Sequence, residues 1–375
     1  MERRALTEKE RRDWLRLFRS RHVGPATFQA LLQHAGDISG AIEIAPELSR
    51  RGGRKRAISI ISETEAEDEI AAAINLGARI IALCEPEYPD ALAAIHDPPP
   101  VLTVLGDPAK LSGPAIAIIG ARNASAAGRR FARDIAAELG QSGLVVASGL
   151  ARGIDTAAHE GSLATGTVAV LAGGVDVCYP DENRTLYDRI AEGGAIISEQ
   201  KLGTKPTARH FPPRNRLISG LSLGVVIVEA ALRSGSLITA RMALEQGREV
   251  FAVPGSPGDP RHRGTNRLIR DDAQLTEHAE DVLDTVREMG NRPAGPPNSA
   301  APIARAIETP AEIPDQPDPD STQAILLESL SHEPVSVDEL LRECQLSPAV
   351  ALSALLELEL AGRIERHPGN RVSLV

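Results

Sequence analysis

Three arginines around one aromatic ring carry the clearest chemical signal in this chain. The run Arg209-His210-Phe211-Pro212-Pro213-Arg214-Asn215-Arg216 sets guanidiniums about Phe211, with the amide of Asn215 between the last two. Guanidinium forks match phosphate oxygens, and rings and guanidinium planes stack on unpaired bases. The run lies in a basic stretch, Lys201 to Arg270, with twelve Lys/Arg against four acids, inside a protein of formal net charge −10. The acidic remainder already supplies solubility, so this local reversal of sign points to an anionic partner. A single-stranded nucleic acid or a nucleotide is the expected ligand class.

Other segments offer related chemistry. Gly120-Ala121-Arg122-Asn123 precedes a helix start at Gly128, so close backbone approach, helix amides and a full charge converge. Ser148-Gly149-Leu150-Ala151-Arg152-Gly153-Ile154-Asp155 leads to His159, four residues on and on the same helix face. That pair reads as an acid/base or metal pair, or as a helix-terminus aspartate beside a hydrogen-bonded histidine. The second reading is preferred, because no further ligand completes a metal set. Tyr179-Pro180-Asp181 is read as mostly structural, with Arg184 projecting toward the same rim. Ser234-Gly235-Ser236 at a helix start is a natural anion cradle. Glu199 and Glu229 are the carboxylates placed for acid/base work, although glutamates near arginines are usually ion-paired. No nucleophile elbow, Walker loop or metal carboxylate pair is present, and the Gly spacing is not that of a dinucleotide fingerprint. The expectation is a protein that is not an enzyme and has no cofactor and no metal.

Elements must place these residues on one edge. Apolar runs at Ala115–Ile119, Leu144–Ala147, Thr167–Leu171, Ala195–Ile197, Val225–Val228 and Glu249–Val253 lack alternation, as strands buried on both faces do. Helical patterns lie between them, near 126–140, 154–164, 182–192, 215–221, 236–247 and 266–274. This rhythm predicts an α/β doubly wound parallel sheet over 78–290, with ligands at the carboxyl ends of its strands. Residues 1–75 read as short helices, either a plain packing module or a helix-hairpin-helix turning at Val23-Gly24-Pro25. Residues 291–320 hold eight prolines and read as a linker. Residues 321–375 read as three helices and a hairpin, a winged helix. That segment has four arginines against eight acids, and its presumed recognition helix, 348–361, carries no Lys or Arg. Phosphate neutralisation drives non-specific DNA affinity, so this module is read as a protein contact.

Composition bounds the rest. The chain has 375 residues, 42% hydrophobic and 25% charged, which suits two or three ordinary globular domains. The N-terminus is charged, no apolar run approaches the roughly 18 residues that span a bilayer, and three scattered cysteines fit a reducing cytoplasm. A cytoplasmic protein with no membrane partner is expected. Aromatic content is only 2%, so binding should lean on phosphates, with one or two stacking contacts.

In chain order, Gly120-Ala121-Arg122, Ser148 to Asp155 with His159, Tyr179-Pro180 with Asn183, Ser198-Glu199, Phe211 to Arg216 and Arg233-Ser234-Gly235-Ser236 resemble the signatures of the bacterial DNA-processing protein A (DprA/Smf) family. The resemblance implies an extended Rossmann-like domain with an N-terminal SAM or helix-hairpin-helix-like domain and a C-terminal winged helix. It also implies single-stranded DNA binding without a cofactor, a homodimer, protection of incoming strands and loading of RecA recombinase in natural transformation. The implied contacts are Gly120, Arg122, Ser148, Gly149, Arg184, Phe211, Arg214, Asn215, Arg216, Ser234, Gly235 and Ser236, with dimer and RecA contacts near Leu268 and Ile269. Ala121 stands where the family usually has serine, and Gln200 and Ala127 stand where aromatics are frequent. Two other readings remain in view: a Rossmann-like nucleotide N-glycosidase using Glu229, and a winged-helix regulator of duplex DNA.

Overall fold

The computed structural model describes residues 3–53, 58–291, 319–344, 346–367 and 369–375; most of the expected linker, 292–318, lies outside them. Four helices open the chain: α1 (Glu8–Arg19), α2 (Pro25–Ala35), α3 (Ile38–Arg51) and α4 (Glu63–Asn75). Their starts follow from local chemistry. Thr7 with Glu10 and Ser62 with Glu65 form capping boxes, Asp37 caps α3, and Pro25 begins α2 with its φ preset. Trp14, Phe28, Leu15, Leu17 and Leu31 fill the space between these helices, and the Trp14 and Phe28 rings sit 4.9 Å apart.

The central unit is one nine-stranded sheet. Its chain order runs β1 (Ala78–Ala82), α5 (Asp90–Ala93), β2 (Val101–Gly106), β3 (Ala115–Ile119), α6 (Ala126–Gln141), β4 (Val145–Ser148), α7 (Ile154–Ser162), β5 (Thr167–Val170), α8 (Arg184–Gly193), β6 (Ala195–Ser198), α9 (Phe211–Gly220), β7 (Gly224–Ile227), α10 (Gly235–Glu245), β8 (Glu249–Ala252), α11 (Arg263–Arg270), β9 (Gln274–Leu275) and α12 (Ala279–Asn291). In space the strands lie β1-β2-β6-β5-β4-β3-β7-β8-β9. From β6 to β9 all pairings are parallel, while β1 and β2 add an antiparallel edge. The six expected strands all occur, shifted by at most a residue, and β3 has the expected bounds. The antiparallel edge and the short β9 were not foreseen.

The order places the switch point at β3. The chain steps from β3 through β4 and β5 to β6 on one side, then returns to β7 on the other. A crevice opens where adjacent crossovers diverge, at the carboxyl ends of β3 and β7. Every residue of both strands is buried, so the loops leaving them are held by a rigid base.

The last unit holds α13 (Pro319–Ser329), β10 (Val335–Ser336), α14 (Val337–Cys344), α15 (Pro348–Leu360), β11 (Ile364–His367) and β12 (Arg371–Leu374), with β12 central in its sheet. Helix α15 has apolar residues on opposite faces, with its buried Glu357 and Glu359 bound to Gln323 and Arg366, so it must be covered on two sides. One side, with Leu355 and Leu358, packs on Leu326, Leu340 and Ile364. The other, with Leu356 and Leu360, joins the core shared with the N-terminal helices. The surface that a groove reader would present is turned against α2 and α3 of the same chain.

Gly52, just past α3, makes that contact possible. A Cβ there would lie 2.0 Å from the Glu357 carbonyl oxygen, closer than any backbone tolerates. Gly52→Val should therefore release the winged helix. Small-angle scattering should record a larger radius of gyration; an unchanged radius would rule out this docked arrangement.

Candidate nucleic-acid interface

Two loops and one helix build the groove at the switch point. The first loop, after β3, begins at Gly120, where a Cβ would meet Ile154 at 2.6 Å and the Glu229 carbonyl at 3.0 Å. Only glycine lets the chain pass there. The Gly120 carbonyl accepts from Ser236 Oγ at 3.0 Å, so the start of α10 is tied to the end of β3. Ser234 caps α10 and pairs with the Ser236 hydroxyl at 3.0 Å. Both hydroxyls are thus committed internally, while Gly235 faces open space.

Helix α9 carries the arginine motif. It begins at Phe211, with Pro212 and Pro213 in its first turn, where their missing N–H groups remove no intrahelical bond. Residues two apart on a helix do not share a face. Arg214 therefore points into the groove and Arg216 away from it.

Arg214 is 6% exposed. Its guanidinium lies against Gly149, where a Cβ would sit 1.5 Å from Nη1. Its Nε has no partner, and among the described residues no carboxylate pairs with it. Burial pulls its pKa down to about 10, only partly opposed by the charge of Asp155. Arg122, exposed on the β3 loop, lies 5.1 Å from the Phe211 ring centre, and Arg214 lies 5.6 Å from it. Two guanidiniums thus lie against one half-buried ring. They face a cavity of about 570 Å3 that Gly120, Asn215, Ser234, Gly235 and Ser236 also line. A second hollow of about 400 Å3 adjoins it and shares Arg122, Asn123, Ala151, Phe211 and Arg214. Converging cations, backbone and a ring can hold a chain of phosphates with unpaired bases.

Three expected contacts lie elsewhere. Arg216 is 3% exposed and bound to Glu199 at 2.5 Å and Asp97 at 3.3 Å. Burial opposes its charge, but Glu199 and Asp97 hold its pKa above the ordinary value, so it stays charged and occupied. Since the Glu199 carbonyl also accepts from Arg19 at 2.8 Å, this cluster joins α9, the end of β6 and the N-terminal helices. Arg184 is exposed on α8, pairs with Asp188 at 3.1 Å and lines neither hollow. Ser148 is fully buried and donates to the Ile118 carbonyl at 2.6 Å, fastening β4 to β3. Gly149 lines the second hollow, but its N–H is already given to Asp155 at 3.1 Å.

Asp155 and His159 serve the scaffold. Asp155 accepts from Gly149 and Ala151, and burial raises its pKa despite Arg214. His159 meets the Thr167 hydroxyl at 2.7 Å; burial first, then Arg214, brings its pKa down to about 3, so it is neutral. Among the described residues no group of His, Cys, Asp or Glu could hold a metal ion.

The amino end of α6, expected to offer its amides to the ligand, is filled. Glu229 is fully buried and accepts from the Ser125 N–H at 3.0 Å and the Ser125 hydroxyl at 2.5 Å. A Cβ at Gly128 would lie 2.5 Å from the same carboxylate. Dinucleotide folds seat a pyrophosphate at this position; here the chain's own carboxylate holds it. Asn123, Tyr179 and Arg233 stand in the segments read from the sequence but were not put among the expected contacts; Asn123 and Arg233 line the larger cavity, and Asn123 and Tyr179 the second hollow. Tyr179 is 48% exposed, a signal in a chain so poor in aromatics.

Comparison with known proteins matches this geometry to a family. The family profile described as DNA recombination-mediator protein A matches residues 79–287, and those for the DprA-like N-terminal HHH domain and the DprA winged helix domain match 8–72 and 309–370. The chain belongs to the DNA recombination-mediator protein A family. Protein Smf of Escherichia coli (strain K12) is 40% identical over 291 residues, covering 76% of this chain and 75% of the relative. The X-ray structure of DNA processing protein A from Streptococcus pneumoniae superposes with a TM-score of 0.62 at 30% identity, covering 76% of this chain and 98% of that one. DNA processing protein A from Helicobacter pylori, solved for its single-stranded DNA binding mode, gives 0.52 at 31% identity, covering 56% and 96%. In this member of the recombination-mediator family, the two arginines that end the Phe211–Arg216 motif face opposite sides of one helix.

That division is measurable. Removing one partner of a buried ion pair costs about 3–5 kcal/mol. Arg216→Met should lower unfolding stability by about that much, and adding Glu199→Leu should restore most of it. Arg214→Met should leave stability within about 1 kcal/mol. Urea unfolding decides; equal losses at 214 and 216 would contradict the assignment.

Proposed function

We propose that this chain binds single-stranded DNA without catalysis and passes it to a recombinase. The observation that carries the reading is the pair Arg122 and Arg214 about Phe211 at the switch point, without carboxylate partners among the described residues. Asp155 offsets the buried charge of Arg214 only in part, and a buried cation is costly until an anion completes it. A duplex has its bases paired inward, whereas an unpaired strand offers phosphates and ring faces together.

Family membership and the likeness to the Helicobacter pylori protein support the strand type. In this reading the chain acts in the cytoplasm during natural transformation and recombination. It protects incoming strands as a homodimer and loads RecA, with no cofactor and no membrane partner. Among the described residues no helix is long and apolar enough to cross a membrane. The half-exposed Leu268 and Ile269 on α11 are offered as the centre of the dimer and RecA contacts. A nucleotide N-glycosidase finds no support, because Glu229 is sealed beneath Ser125. A duplex regulator finds none in α15, whose outer face is covered.

Arg122→Ala with Arg214→Ala should weaken oligothymidylate binding by about tenfold or more for each guanidinium removed. The slope of log affinity against log salt should fall by about 0.7 for each phosphate left without its cation. Fluorescence anisotropy across a salt series measures both. Unchanged affinity and slope in the double variant would overturn the reading.

A further inference from the structure

The winged helix is seated against the rear of the two helices that build the groove. Helix α9 turns Arg214 and Ile218 to the cavity of about 570 Å3, while Pro213 and Arg216 line a separate cavity of about 350 Å3. Glu359, Arg366, His367 and Asn370 of the winged helix line that second space too. Helix α10 begins in the groove at Gly235 and ends at Glu245. A Cβ on Gly369, in the wing, would lie 2.9 Å from the Glu245 carboxylate. Gln246 Nε2 donates to the Arg216 carbonyl at 3.1 Å, which ties the two rear contacts together. Across α9 the groove and the winged-helix seat are about one helix diameter apart, roughly 10 Å.

The seam is made to part. Helix α15 brings two buried glutamates to it, and each has a partner inside the winged helix. Glu357 accepts from Gln323 at 2.6 Å and Glu359 from Arg366 at 2.9 Å. These carboxylates keep those partners when the unit lifts away, so separation breaks neither contact. Leu356 and Leu360 supply the apolar contact, and Gln323 donates across the seam to the Arg51 carbonyl at 3.2 Å. Charge sets the direction of the change. Residues 321–375 hold four arginines against eight acids, while Lys201 to Arg270, which contains α9 and α10, holds twelve Lys/Arg against four acids. Opposite charges attract over a distance close to the Debye length, about 10 Å at 0.1 M salt. A strand in the groove neutralises the basic stretch and adds its own phosphates, which weakens that attraction.

We propose that the docked winged helix is a strand-sensitive clasp. It closes on the N-terminal helices and the rear of α9 and α10 while the groove is empty, and an unpaired strand releases it. This rests on the single-strand reading above. Linkage makes the effect mutual: the factor by which the strand favours opening is the factor by which opening favours the strand. The closed chain is therefore autoinhibited.

The test measures both sides of that linkage on the full chain at low salt. Dyes on Ser39→Cys in α3 and Glu333→Cys in the winged helix, with Cys344→Ser, report closure by energy transfer. Transfer should fall when oligothymidylate is added, and Gly52→Val should lower it without a strand. Gly52→Val should also bind oligothymidylate about fivefold or more tightly than the wild type, with the gap closing as salt rises. Leu356→Asp with Leu360→Asp opens the seam by a second route and should give the same gain, which excludes a local effect at position 52. If saturating strand leaves transfer unchanged, or the opened variants bind as the wild type does, the clasp falls and the single-strand reading survives. If Gly52→Val leaves transfer unchanged, the docked seam and the clasp fall together. If the wild-type chain binds no oligothymidylate, the single-strand reading falls with the clasp.

Discussion

One desolvated cation organises this molecule. Arg214 is buried at the carboxyl edge of a parallel sheet without a carboxylate in contact, and its pKa is drawn down to about 10. Removing a guanidinium from water is expensive, and folded proteins normally balance it with a paired acid. Here the nearest acid, Asp155, has its carboxylate turned to the amides of Gly149 and Ala151. The site keeps a positive charge in a low-dielectric setting, where an incoming phosphate is felt strongly. The glycine at 149 and the ring of Phe211 both serve that placement.

The neighbouring acids explain how the charge stays open. Glu229 answers the N–H and hydroxyl of Ser125 at the amino end of α6, and Glu199 and Asp97 answer Arg216. Each carboxylate near the groove is thus committed to a different donor. The same arrangement removes the seat of a dinucleotide from a fold that often has one. Positive charge beyond Arg122 and Arg214 is partly neutralised as well. Arg241, Arg261 and Arg267 pair with Glu245, Asp259 and Asp271, so the basic stretch is less uniformly open than its composition suggests.

Much of the fold was legible in the residues. Strands buried on both faces leave uninterrupted β-branched runs, and six of them stood out. The antiparallel edge was harder, since β1 and β2 follow the helical domain outside the strand-helix rhythm. Motif order brought Gly120, Arg122, Phe211, Arg214, Asn215 and the Ser234 to Ser236 turn to one cavity. The misplacement of Arg216 has a specific cause. Starting α9 at 215 leaves Arg214 in the loop before the helix, free to point with Arg216, whereas the helix begins at 211 and separates them. The role of Glu229 depends on Ser125, 104 residues away in the chain, and no local pattern reveals such a contact. Arg184 was misjudged because helix rotation, which turns it toward Asp188, is not fixed by a strand end.

The most direct measurement is a map of where an unpaired strand touches the chain. Oligonucleotides carrying photoreactive 5-iodouracil can be cross-linked to the intact protein and the adducts located by mass spectrometry. The account predicts adducts within 120–123, 149–152, 179–180, 211–215 and 233–236, and none on α15. Adducts concentrated on the winged helix or the N-terminal helices, with the switch-point loops untouched, would contradict it.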